Sequence, residues 1–321
     1  MAKIICGVDI SSKVLDVFLN QSFHRFPNTV AGIADLLVLC QQHQVDLVAV
    51  EASGGYERRL YLQLWAAGLP VAICNARAVR DFAKSMGRLE KTDTLDAAVI
   101  AEYACAKKKL VAHPPQPGEH QPLRALVARL RQLTEVRASQ LQQRLLVTDD
   151  EALATFTRLI GFLNSEIRQL EQRITQLIDA DPLWQNLDRA FRSIKGVADR
   201  TVACLMAELP EIGTLSHKAI SKLVGLAPLA DDSGKRRGPR SIRGGRSTVR
   251  HLLFIVASVV RRYHPDFAEF SQRLAAKGKA KKVILVALAH KLLIRLNAKA
   301  RDARLQLLEM ASPALTTTLS S

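Results

Sequence analysis

Three prolines in four residues, closed by a glycine, interrupt the chain at His113-Pro114-Pro115-Gln116-Pro117-Gly118. Proline supplies no backbone donor and glycine weakens either regular structure, so no helix or strand runs through this stretch. It separates two segments of different periodicity. The chain has 321 residues, which at about 150 residues per domain is one large or two modest domains. The expected division is a first domain over 1–112, a linker with long helices over 113–185, a further domain over 186–300 and a tail over 301–321.

Ahead of the linker, short apolar runs alternate with helical patterns. Residues 3–9 and 14–19 predict a strand pair around the turn-forming Ser11-Ser12-Lys13, and 46–51 and 70–74 are runs of the buried-strand type. Helical spacing falls at 32–41, 57–66, 78–85 and 94–106. Strands first, then helix and strand in alternation, predict an α/β layer on a mixed sheet.

Beyond the linker the helices lengthen. Leu123, Leu126, Leu130 and Leu133 step by three and four. After a break near Thr148-Asp149-Asp150, the step resumes through Ile160, Leu163, Ile167, Leu170, Ile174 and Leu177. Such spacing fits a coiled-coil seam, or two helices packed on their own domain. From Asp181-Pro182 a second, mainly helical globular region begins, and 312–321 is small, polar and expected to fray.

Charge narrows the partner. Lysine plus arginine number 46 against 30 acids, a net charge of +16, which points to a polyanion: nucleic acid first, an acidic membrane surface second. A hydrophobic fraction of 48% excludes disorder along the whole chain. The five cysteines form no Cys-x-x-Cys pair, which argues against a disulfide framework or a zinc knuckle and fits a reducing cytosol. No signal-peptide pattern follows Met1, and the longest apolar run, 252–260, falls short of the roughly 20 residues a bilayer needs. The expectation is a cytoplasmic protein without a membrane partner. Aromatics at 5% argue against a stacking platform for single strands, and the eight histidines show no zinc spacing. A P-loop is absent.

Four carboxylates stand out in the first segment. Asp9 closes one apolar strand and Glu51 another, while Asp93 and Asp96 lie three apart at a predicted helix start, on one helical face. Each has an ordinary explanation, as a solvated strand end or as an acid complementing a helix dipole behind a Thr92 cap. Together they suggest more. If the strands ending at Asp9 and Glu51 are neighbours, their carboxylates emerge at one sheet edge, and a helix across that edge can deliver Asp93 and Asp96. Clustered carboxylates repel unless cations compensate them, and two Mg²⁺ ions about 4 Å apart clamp both oxygens of an in-line phosphodiester displacement.

The second segment offers a different nucleophile. Ser233 sits in the small-residue turn Asp231-Asp232-Ser233-Gly234, ahead of a basic cluster. Residues 235–250 hold seven cations and no acid: Lys235, Arg236, Arg237, Arg240, Arg243, Arg246 and Arg250. Lys277, Lys279, Lys281 and Lys282 form a second cluster around Gly278. Arginines bind phosphate bidentately, and a serine beside such a cradle can attack a DNA phosphate if something activates it. A Ser-Gly turn is otherwise a surface loop. Upstream, Ile194-Lys195-Gly196-Val197-Ala198-Asp199 is patterned like a helix-hairpin-helix, with Ala198 where a second glycine is usual; a plain helix-helix turn fits equally.

Taken in order, these pieces resemble the DEDD transposases of bacterial insertion sequences, the one-ten and eleven-eleven families, related to the Piv-type DNA invertases. The matching stretches are Gly7-Val8-Asp9-Ile10-Ser11, Glu51-Ala52-Ser53-Gly54, Lys91-Thr92-Asp93-Thr94-Leu95-Asp96-Ala97 and Leu223-Val224-Gly225-Leu226-Ala227-Pro228. They continue through Asp232-Ser233-Gly234-Lys235, Ile242-Arg243-Gly244-Gly245-Arg246 and Gly278-Lys279-Ala280-Lys281-Lys282-Val283, spanning Asp9 to about Asn297. Two departures are local: His290 stands where an arginine is expected, and Phe254 where a tyrosine is common.

The resemblance implies a RuvC-like, RNase H-type first domain with Asp9, Glu51, Asp93 and Asp96 as an Mg²⁺-binding tetrad. It implies a coiled coil for dimerisation in the middle, and a mainly helical transposase domain with Ser233 as the nucleophile joined covalently to DNA. It further implies dimers assembling to tetramers on donor and target DNA, composite sites drawn from both domains, and a structured bridge RNA that pairs with both DNAs. The expected function is therefore an RNA-guided, metal-dependent serine recombinase of the bacterial nucleoid. The alternatives are a RuvC-like nuclease that cuts branched DNA with water, and a non-enzymatic nucleic-acid scaffold.

Overall fold

The computed structural model describes residues 3–88, 93–107, 110–112, 114, 120–230, 232–233, 236–238 and 240–311. Lys91, Thr92, Asp231, Gly234, Lys235 and the segment 312–321 lie outside these, as does most of the proline linker, and Asp93 and Arg236 are described by backbone alone. The chain divides into two compact units, 1–118 and 119–321. The first is mixed α/β; the second is almost wholly helical.

Unit one is built on a five-stranded sheet in the order β3-β2-β1-β4-β5. Its strands are β1 (Ile5–Ile10), β2 (Val14–Leu19), β3 (Ser22–Pro27), β4 (Leu47–Glu51) and β5 (Val71–Cys74). β1, β2 and β3 pair antiparallel; β4 runs parallel to both β1 and β5. The sequence reading does not contain β3. Asn20 and Gln21, both at positive φ (48° and 65°), make the two-residue turn that returns the chain beside β2. Pro27 is tolerated because it ends an edge strand.

Strand alternation assigns each face. Cys6, Val8, Ile10, Leu15, Val17, Val48 and Val50 pack against Ile33, Leu36, Leu60 and Leu64 of α1 (Val30–Gln42) and α2 (Glu57–Ala66). The opposite face carries Ala49 and Cys74, under Val79 of α3 (Ala76–Ser85) and Val99, Ile100, Tyr103 and Ala104 of α4 (Asp93–Ala106). Gly7 faces this side. A Cβ there would lie 2.3 Å from the carbonyl oxygen of Ala97 and 2.7 Å from the amide nitrogen of Ala101, so α4 rests its backbone directly on β1.

In unit two, α5 (His120–Arg144) and α6 (Asp150–Asp179) form a hairpin, with Asp149 accepting from the Ala152 amide at 2.8 Å to cap the second helix. Leu123, Leu130, Leu133, Leu163, Ile167 and Ile174 are buried in one core with the remaining helices. The three-four spacing is thus satisfied within this chain, the second of the two readings it allowed. That core is completed by α7 (Pro182–Arg192), α8 (Asp199–Glu208), α9 (His217–Val224), α10 (Ser247–Tyr263), α11 (Pro265–Ala276) and α12 (Lys281–Ala311). A two-residue hairpin, β6 (Asp232–Ser233) with β7 (Arg236–Arg237), separates α9 from α10. Among the described residues no helix is long and apolar enough to cross a membrane.

The tail expected from 301 is corrected for its first part: α12 continues to Ala311. Arg304 donates to the carbonyls of Ile212 (3.0 Å) and Pro210 (3.1 Å), and Ala300 and Ala303 are buried. The fully buried Asn297 donates to the Leu215 carbonyl and accepts from the Gly213 amide, so it satisfies loop groups that a hydrophobic residue would leave unpaired.

Because both close neighbours of Gly7 include backbone atoms, Gly7→Ala is expected to force α4 off the sheet. A loss of about 3 kcal/mol follows, measured as a lowered denaturant midpoint for unit one.

Candidate active site

The pairing of Val8 with Val50 places the next residues, Asp9 and Glu51, side by side at the ends of two adjacent parallel strands. Each lies two residues beyond a residue that faces α3 and α4, Gly7 and Ala49, so both carboxylates take that face. The Asp9 carboxylate accepts from the Ile10 amide at 3.0 Å, which orients it. Asp96 immediately precedes Ala97, the residue whose carbonyl abuts Gly7, and Asp93 begins the same helix. The first turn of α4 therefore reaches the sheet within one helical turn, about 5.4 Å, of the Gly7 contact. Asp9, Glu51 and Asp96 are half-buried. Among the described residues no three metal-ligating side chains converge on one point, and the Asp93 side chain lies outside those residues.

The sequence reading missed three groups around this row. Asp16 pairs with Asp9 across β1 and β2, and Arg25 pairs with Asp16 across β2 and β3. Cys74 pairs with Glu51 on the other side. Burial pushes the Cys74 thiol up to about 11, with Lys107 opposing and Glu51 adding to the rise, so it is no nucleophile near neutrality. A lone aspartate within the apolar run Val14-Leu15-Asp16-Val17-Phe18 was the available signal.

Glu57 is the third. It accepts from the Ser53 hydroxyl (2.7 Å), the Ser53 amide (3.2 Å) and the Gly55 amide (2.9 Å), pinning the loop that leaves Glu51. Burial pushes its carboxyl up, but these donors outweigh burial and hold it below the usual carboxylate range.

In unit two Ser233 is exposed on β6, opposite Arg236 of β7. Arg240 bonds Asp232 at 2.7 Å, steadying the hairpin. Arg237, Arg240, Arg243, Lys277, Lys279, Lys281 and Lys282 are exposed; Lys235 lies outside the described residues. Arg246 and Arg250 do something else. Both terminal nitrogens of Arg246 bond Glu211 at 2.6 Å, and one also reaches the Glu208 carbonyl. Arg250 donates to the carbonyls of Val224 and Gly244. Arg246 thereby ties the segment after Gly244-Gly245 to the end of α8, and Arg250 ties the Gly244 carbonyl to the end of α9.

The turn between α7 and α8 joins two helices, with Gly196 at φ 100° against the Val260 backbone. Asp199 opens α8 and is ion-paired with Arg192, and this acid opposes an incoming phosphate. His290 shares a 2.9 Å hydrogen bond with Ser221, and burial holds its imidazole below the ordinary value, a local packing role where an arginine was expected.

Comparison with known proteins gives two family matches. Residues 6–151 match the DEDD transposase profile of the IS110 type, and residues 188–272 match the transposase of the IS116/IS110/IS902 family. The chain is 28% identical over 311 residues to the pilin gene-inverting proteins of Moraxella lacunata and Moraxella bovis, covering 91% of this chain and 94% of each of those. It is 27% identical over 159 residues to an uncharacterised 43.6 kDa protein of insertion element IS110 from Streptomyces coelicolor, covering 48% of this chain and 38% of that protein.

Arg246→Ala is expected to cost about 2 kcal/mol at pH 7, since it leaves a half-buried carboxylate without its partner; Arg243→Ala, on an exposed position, is expected to be near neutral. Arg246 contributes to holding the Glu211 carboxyl below its ordinary value. The stability it brings is present above the unfolded carboxyl value and is lost as pH falls through the folded one. Denaturant melts of both variants from pH 7 to pH 3 check this: the Arg246→Ala gap should close at the acid end.

Proposed function

The chain belongs to the IS110 family of DEDD transposases, enzymes of DNA recombination, and on that premise we propose that it cleaves and exchanges DNA strands through a metal-dependent reaction with a serine nucleophile. The observation that carries this reading is the register that sets Asp9 beside Glu51 at the ends of adjacent strands, with the helix start bearing Asp93 and Asp96 at the same face. A mixed five-stranded sheet with acids at its central strand ends is what an RNase H-like, RuvC-like domain requires.

The donor set is carboxylate oxygen throughout, which fits a hard divalent ion such as Mg²⁺ rather than zinc. Asp9, Glu51, Asp93 and Asp96 would hold it, and it would supply charge stabilisation of the phosphodiester oxygens in an in-line displacement. The chain's own contribution is orientation: the Ile10 amide fixes Asp9, and the Glu57 cage fixes the loop after Glu51.

Ser233 is the proposed nucleophile. Its Oγ loses a proton and bonds to phosphorus, the phosphorus–sugar-oxygen bond breaks, and the departing oxygen takes up a proton. The covalent ester conserves the phosphodiester for rejoining. Exposed Arg237, Arg240 and Arg243, with Lys277, Lys279, Lys281 and Lys282, neutralise backbone phosphates. They serve donor and target DNA and a structured bridge RNA encoded by the element, whose base pairing selects both sites. The setting is the bacterial cytoplasm, at the nucleoid.

Assembly into dimers, and from these into tetramers, is proposed through the α5–α6 hairpin. Its far end exposes Leu141, Leu145, Leu146, Leu159 and Phe162, and apolar surface of this kind is what a coiled-coil partner covers.

Two measurements test these proposals. Protein mixed with Mg²⁺, labelled donor and target DNA and the flanking transcript should give a denaturant-resistant protein–DNA adduct. Ser233→Ala abolishes that adduct, and Asp9→Asn or Glu51→Gln reduces it by roughly a hundredfold or more, with RNA and DNA binding retained. Metal-dependent nicks without an adduct would replace the serine mechanism by a water-using nuclease, and binding without any cleavage would leave a scaffold. By light scattering, Leu145→Glu with Phe162→Glu should yield a folded monomer; an unchanged dimer would remove the hairpin from assembly.

A further inference from the structure

One row of residues crosses the whole sheet of unit one at a single register: Cys74, Glu51, Asp9, Asp16 and Arg25, on β5, β4, β1, β2 and β3. The pairing of β1 with β4 continues through Val8 and Val50 to set Asp9 beside Glu51. Side chains paired directly across strands stand about 5 Å apart on the same face. Asp16 is thus a third carboxylate in line with Glu51 and Asp9, and it is buried, with 9% of its side chain exposed. Arg25, the next residue in the row, bonds it at 2.7 Å through Nε while 59% of its own side chain reaches solvent.

Stability alone gives no reason for this pair. Asp16 sits between Leu15 and Val17 in a buried strand, beneath α4, where an apolar side chain would pack without desolvation loss. A like charge directly across from Asp9 is unfavourable for the folded chain. What the pair changes is the field at Asp9. With Arg25 in place the added carboxylate is cancelled; without Arg25 the row would carry one more negative charge, and without Asp16 one unmatched positive charge.

We propose that the Asp16–Arg25 pair sets the charge of the acidic row at Asp9 and Glu51, and thereby its affinity for a divalent cation. Asp16 and Arg25 are positioning residues. They act through charge, keeping the tetrad's own charge as the charge the cation meets. This rests on the metal-site reading of the preceding section.

The test is Mn²⁺ binding by the full chain without nucleic acid, read by electron paramagnetic resonance. For a unit charge about 9 Å from a divalent cation, Coulomb's law gives a factor of roughly five at the dielectric of water and several hundred at an effective dielectric near 20. A change on the order of tenfold or more is expected for this partly solvated pair. Arg25→Gln should therefore tighten Mn²⁺ on the order of tenfold, and Asp16→Asn should weaken it by a similar factor. The double variant, neutral like the native pair, should return to within roughly threefold of the native affinity, as should Arg25→Lys. A merely structural pair would weaken binding in both single variants, or change neither, and either result overturns the proposal. If a single variant does not fold, the double variant and Arg25→Lys decide: a tenfold departure in either overturns it, and native affinity in both supports it. Native protein whose Mn²⁺ binding is indifferent to Glu51→Gln overturns the metal reading itself, and the pair's role with it. Binding that is lost in Glu51→Gln but unmoved by the pair overturns the pair alone.

Discussion

Unit one depends on the contact of one helix backbone with one glycine. α4 can rest on β1 only because Gly7 has no side chain, and that contact brings the first turn of the helix, with Asp93 and Asp96, to the sheet two residues from Asp9. A side chain at that position would lift the helix by the thickness of a methyl group or more. Carboxylates that share cations tolerate little such displacement, because ligand distances to a hard divalent ion vary by only a few tenths of an ångström. The same close approach therefore fixes both the packing of α4 and the position of Asp96 relative to Asp9.

Unit two meets a different constraint. Its loops are held by polar side chains that reach out of helices to backbone carbonyls and acids. Asn297, Arg301 and Arg304 of α12 hold the segment 210–215, while Arg246 holds the glycine loop to the end of α8 and Arg250 holds it to the end of α9. Gly245 permits that second junction, since a Cβ there would meet the Gly225 amide at 2.4 Å. The loop that precedes α10 is consequently rigid at its base, while the β6–β7 hairpin carrying Ser233 stands exposed.

The sequence made some of this legible and left the rest hidden for physical reasons. Strand ends at Asp9 and Glu51 and the paired acids of α4 were visible because apolar runs and i, i+3 spacing are local properties. β3 was not, since Asn20-Gln21 lacks the glycine that announces a tight hairpin, and an edge strand needs only one apolar face. Asp16 was passed over because its partner comes from the next strand, a relation that appears only with register. The roles of Arg246 and Arg250 are hidden for the same reason: composition counts cations but cannot tell a phosphate ligand from a loop anchor. Likewise, the three-four spacing of α5 and α6 could not distinguish a partner chain from the chain's own core, and the buried leucines are satisfied at home.

These distinctions bear on how a chain of net charge +16 accommodates an acidic row at its candidate active site. Cations spread over the surface draw in a polyanion from a distance, an effect screened beyond about 8–10 Å at moderate salt. At contact the local field decides, and there Glu51 and Asp9 repel a phosphate. On the proposed metal reading, a divalent cation held by the row would remove that repulsion. Binding of nucleic acid and of metal would then be mutually supportive, each lowering the electrostatic cost of the other.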